Sequence, residues 1–122
     1  MSDMTKFFSN NIGALTNDFR PLFKIPSGAG GITVTDANYV TETAGTSTVQ
    51  LVDLGTAGTA VAAGGTIFAS AGSAVAAAGV PVAMTEQDTA YIAEGHWVGV
   101  KEANVGTTGA ITIISFSYLN GK

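Results

Sequence analysis

Along most of the chain, apolar residues alternate with polar ones in short runs broken by glycine, a period-two pattern that predicts strands. At the C-terminal end, residues 96–101 and 110–119 form two strongly β-prone runs, facing each other across a glycine-marked connection at 102–109. In the last run Ile114, Phe116 and Tyr118 fall on one face, and Ile111, Ile113 and Leu119 on the other, with Ser115 and Ser117 among them. A strand apolar on both faces is expected at the centre of a sheet or under a neighbouring subunit.

Further strands are predicted upstream. Residues 32–35 alternate, Asp36, Ala37 and Asn38 supply turn chemistry, and 39–42 resume with Tyr39 and Val40. The run 46–54 places Val49 and Leu51 on one face and Val52 and Leu54 on the other, after which Asp53 and Gly55 open a loop. Residues 55–79 are rich in Gly, Ala, Thr and Ser. Within them 58–69 resembles 72–83 at an offset of 14, but two copies fall short of a solenoid. Ile67, Phe68, Val80, Val82 and Met84 are apolar anchors that a plain linker lacks, and 85–89 reads as an exposed connection leading to a strand at 91–93.

The first 30 residues differ. Phe8, Ile12, Leu15 and Phe19 are spaced for one side of a helix, while Asn10, Asn11, Gly13 and Asn17 disfavour it, so a short helix and an extended arm docked on a partner are both open. Pro21 and Pro26 favour extended geometry for residues 20–25, read as an edge strand or extended segment. The expected organisation is an N-terminal arm, 1–30, and a β domain, 31–122. Short strands with glycine-rich turns and little helix predict an all-β, antiparallel β-sandwich, jelly-roll-like, whose strand order the pattern does not reveal.

Composition narrows the function. The 122 residues suit one domain, with about 6,000 Å² of folded surface by area scaling. Charged residues make up only 11% of the chain, less than half the usual share of about 25%. A surface so poor in charge is expected to be covered in part by a partner. Five basic residues, dispersed in a chain of net charge −4, cannot form the stripe that neutralises nucleic-acid phosphates. No cysteine is present, which excludes disulfides and thiol chemistry. No uninterrupted apolar run suits a membrane helix, and the start lacks the build of a signal peptide.

Chemistry-bearing residues are sparse. His96 is the single histidine and is read as a structural or pocket-rim residue rather than a general base. Asp53, followed by Gly55, Thr56 and Gly58, has the look of an oxygen-rich cation loop but lacks its alternating acids. Ser70 and Ser73 sit in no nucleophile elbow, and Gly64, Gly65 and Thr66 lack the lysine of a phosphate loop. No catalytic residue, metal or cofactor is therefore expected, and no enzyme. Tyr91 and Trp97 are the candidates for stacking on a glycan, with Trp97 more readily a core residue.

The runs 49–56, 79–83 and 95–100, with 104–109 and the closing strand to Lys122, resemble small virion proteins of tailed bacteriophages. These include capsid cement or decoration proteins, similar in being short, cysteine-free, Gly/Ala/Thr-rich sandwiches. The resemblance covers 49–122 and implies a non-enzymatic structural protein on the capsid exterior, assembled in the host cytoplasm. Its implied partner is the major capsid protein, with a homo-oligomer, a trimer by preference, and neither nucleic acid nor membrane. Phe7, Phe8, Ile12, Leu15, Phe19, Leu22 and Phe23 are the expected partner-binding residues of the arm. Another virion part, such as a tail, neck or fibre domain, and a carbohydrate-binding module are the alternatives.

Overall fold

The alternating pattern folds, in a computed structural model, into two antiparallel sheets packed face to face. The structure describes residues 6–11, 19–28, 30–41, 45–46, 48–69, 75–76, 80–103 and 111–121. The first sheet contains β1 (Lys6–Asn11), β12 (Ile111–Asn120), β3 (Ile32–Thr41) and β10 (Tyr91–Ile92) in that order, with β8 (Val82–Ala83) also on β3. The second runs β2 (Phe19–Lys24), β11 (Trp97–Ala103), β5 (Thr48–Asp53), β6 (Thr66–Ala69) and β9 (Thr85–Glu86). A small ladder joins β4 (Gly45–Thr46) to β7 (Val75–Ala76).

The connectivity is that of a jelly roll. β1, β2, β3 and β5 alternate between the sheets, and the first and last strands, β1 and β12, lie side by side, as do the second and the second-last, β2 and β11. Folding the chain back on itself in this way makes nearly every pairing long-range.

Alternation decides the core. On β12, Ile114 and Phe116 are buried, with Tyr118 packed at their margin; on β3, Val34, Ala37 and Tyr39 are buried. The second sheet contributes Val49, Leu51, Val98, Val100 and Ile67 to the same cluster. Phe23 of β2 stacks on Phe116 across the sheets, with ring centroids 6.3 Å apart and planes 12° from parallel. The accessible surface is 5957 Å², matching the scaling value for a folded chain of this mass.

Two expectations for the strands change at this level. The two C-terminal runs do not form a hairpin: β11 belongs to the second sheet and β12 to the first. Each is nonetheless an interior strand, flanked by β2 and β5 or by β1 and β3. Residues 36–38 do not turn. β3 runs through them, and the polar residues are absorbed by a β-bulge, where the register opposite β12 slips between Ser117 and Tyr118. That slip leaves Thr35 and Asp36 exposed in succession while Val34 and Ala37 stay buried.

The first 30 residues supply two strands of the sandwich. β1 pairs with β12 from Lys6 opposite Tyr118 to Asn11 opposite Ile113, so Phe7 and Phe8 lie in a strand rather than a helix. β2 pairs with β11, and its Leu22 and Phe23 pack on the chain's own core. Phe19 is half-buried in the same strand, while Ile12 and Leu15 lie outside the described residues. The two similar segments at 58–69 and 72–83 also part company. β6 joins the second sheet and β8 the first, and residues 70–74 and 77–79 fall outside the description.

Candidate functional site

The polar chemistry gathers at one end of the sandwich, where β5 ends and β11 begins. Asp53, 9% exposed, is the buried charged residue of the described chain. Val98 lies opposite Asp53 in the ladder and is part of the core, so Asp53 continues the inward series of Val49 and Leu51. An inward carboxylate requires partners. Asp53 Oδ1 accepts the Gly55 N–H at 2.8 Å, and both carboxylate oxygens lie 3.0 Å from His96 Nδ1. A carboxylate only accepts, so Nδ1 carries the hydrogen of this pair.

Main-chain bonds fasten the same corner. The Leu54 N–H donates to the Trp97 C=O and the Trp97 N–H to the Gly55 C=O, each at 2.8 Å. Asp53 donates its N–H to the Gly65 C=O and accepts the Ala62 N–H on its own carbonyl. Residues 54–65 are thereby folded back as a cover over the outer side of the second sheet. Val52 and Leu54 are buried beneath it, outside the central cluster, and Leu54 lies on Gly99. Any Cβ at Gly99 would stand 2.5 Å from Leu54 Cδ1 and 2.9 Å from the Arg20 carbonyl oxygen. The glycine is what lets the cover reach the sheet.

Trp97 is half-buried under this cover. Gly58, with φ of +72°, sits on its pyrrole edge, where a Cβ would come within 2.9 Å of Cγ and Cδ1. Tyr91 belongs to the other sheet and donates its hydroxyl hydrogen to the Gly30 carbonyl at 3.1 Å. The two aromatic residues named from the sequence as glycan-stacking candidates thus lie on different sheets and do not form one platform. His96 is half-buried, and its partner Asp53 came from 43 positions away. Only the pairing of β5 with β11 brings them together.

The pair could orient an imidazole, but among the described residues no group of three or more His, Cys, Asp or Glu side chains is placed to hold a metal ion. Among the same residues no helix is long and apolar enough to cross a membrane.

The chain matches no family model, no curated protein and no solved structure. Function must be read from the surface itself.

A second polar surface among the described residues is the outer face of the first sheet. There Ser115, Ser117 and Leu119 of β12 alternate with the buried set, beside Thr33, Thr35, Asn38 and Val40 of β3. Thr35 Oγ1 and Ser117 Oγ share a hydrogen bond at 2.8 Å, and Thr33 donates its hydroxyl hydrogen to the Gly121 carbonyl. Asp36 is the one charge among the described side chains of these two strands. The described side chains of these two strands make the face hydroxyl-lined and almost uncharged.

Proposed function

We propose that the protein is a non-enzymatic structural component of a tailed-bacteriophage virion: a cement or decoration protein on the capsid exterior that bridges major capsid protein subunits. The observation that carries this reading is the outer face of the first sheet. Burying an ionised side chain costs several kcal/mol, on the order of the whole stability of a domain, unless it finds a partner. A face of hydroxyls, amides and scattered aliphatic groups avoids that cost. It can be covered by a lattice and still exchange its hydrogen bonds with water when free. The low charge of the chain and the sequence resemblance over 49–122 support the same assignment.

The mechanism is mechanical. A rigid sandwich seated across a junction of capsid subunits adds contacts that must be broken before the shell can separate. No bond is made or cleaved.

The test places charge on the face without unfolding it. Asn38 and Ser115 are opposite each other in the β3–β12 ladder. Asn38→Glu with Ser115→Lys sets opposite charges across the strands, an arrangement worth roughly 0.2–1 kcal/mol of sheet stability. The unmodified chain is expected to co-sediment with expanded phage heads at about one copy per capsid subunit, and the double variant to keep its melting temperature but lose that binding. A chain that fails to bind heads, or that is recovered with tails at low copy number, would overturn the proposal.

A further inference from the structure

Among the described residues the sandwich has four edges, and three of them are blunted. β2 carries Pro21, which has no N–H to give, and its Arg20 and Lys24 are exposed. β9 is two residues long, exposed throughout, and includes Glu86. β8 and β10, which share the far side of β3, are also two residues each, and Pro81 precedes β8.

β1 is different. It is six residues long, contains no proline, and carries one charged residue, Lys6, at its first position. Its register with β12 is unbroken from end to end. In an antiparallel ladder alternate residues turn their N–H and C=O groups away from the neighbour, so β1 presents three residues of pairing capacity on its outer side. An edge of this kind is a template for another strand.

We propose that the outer edge of β1 pairs with β1 of a second copy of this chain, antiparallel about a two-fold axis, joining the two first sheets into one continuous sheet. The other edges decide the occupant. A head-to-tail contact needs a second, different edge that is both long and unguarded: β2 equals β1 in length but carries Pro21 and exposed charges, and β8, β9 and β10 are two residues each. A two-fold contact brings the one long unguarded edge to itself. Antiparallel pairing also sets the two Lys6 positions at opposite ends of the new ladder, whereas in-register parallel pairing would set them side by side. The two-fold contact takes the place of the three-fold assembly expected from the sequence, and it stands independently of the virion assignment.

Light scattering combined with amide exchange on the full chain tests this. The expected mass is twice the 12.2 kDa of the chain, with all six amides of β1 protected rather than alternate ones. Ser9→Pro and Asn10→Pro complete the experiment, because of two successive residues one has its N–H directed away from β12. One variant is expected to keep its melting temperature and become monomeric. A monomeric or trimeric unmodified chain overturns the proposal. So does a dimer in which alternate β1 amides exchange freely, or a folded proline variant that remains dimeric. If both proline variants unfold, the exchange pattern of the unmodified chain alone decides.

Discussion

At the scale of single residues, the Asp53–His96 pair carries the most consequence. Asp53 is almost buried and accepts hydrogen bonds from two different segments, the Gly55 amide and the His96 ring. Removing the acceptor leaves both donors short of a partner, so Asp53→Ala is expected to cost about 1–3 kcal/mol. Because the same residue anchors the cover over Trp97, the variant should also shift the emission of this single tryptophan toward that of a solvated indole. Melting curves and emission spectra measured together check this. A loss of stability with unchanged emission would show that the main-chain bonds hold the cover unaided. The functional candidates named from the sequence gain clear roles at this scale. His96 orients on Asp53, while Trp97 is roofed by Gly58 and Leu22 and Phe23 serve the chain's own core.

At the scale of elements, β12 bears the greatest weight. It lies between β1 and β3 and sends Phe116 into the interior, where that ring meets Phe23 and Tyr118. Phe116→Ala deletes contacts to both sheets at once and is expected to cost about 3–5 kcal/mol. Ser117→Ala, the next residue on the opposite face, should cost far less, since it gives up only the exposed bond to Thr35. Urea titrations of the two variants make the comparison. If they were equally destabilised, the assignment of the two faces would be wrong. The bulge in β3 belongs to this scale too. The run Asp36-Ala37-Asn38 has the composition of a turn, yet strands on either side hold it extended, and one extra residue absorbs the mismatch.

At the scale of the molecule, the jelly-roll path makes the two ends of the chain mutually dependent. β1 and β2 complete the sheets beside β12 and β11, so residues 6–11 and 19–24 are edge strands of the sandwich. Deleting residues 1–24 should therefore lower the melting temperature sharply and expose the edges of β12 and β11, with aggregation as a consequence. Circular dichroism and light scattering of the truncated chain check this. A truncated protein as stable as the full chain would mean that the arm is a separate docking segment. Truncation for that reason cannot isolate a partner-binding role, whereas the paired substitution at Asn38 and Ser115 leaves the fold in place.

The sequence by itself determined what depends on local pattern. Period-two alternation marked the strands at 46–54, 96–101 and 110–119 and placed Val49 with Leu51, and Ile114 with Phe116, on shared faces that the structure shows to be buried. Glycine and turn residues separated them. Alternation does not record which strand lies beside which, because backbone hydrogen bonds are alike for every residue pair. Only the tertiary structure decided that β11 and β12 occupy different sheets, that β1 and β2 form one edge of each sheet, and that Asp53 reaches His96. It also decided that 54–65 folds over Trp97. Those outcomes follow from long-range pairing and from close approach at Gly58 and Gly99, where contact is set by residues tens of positions away.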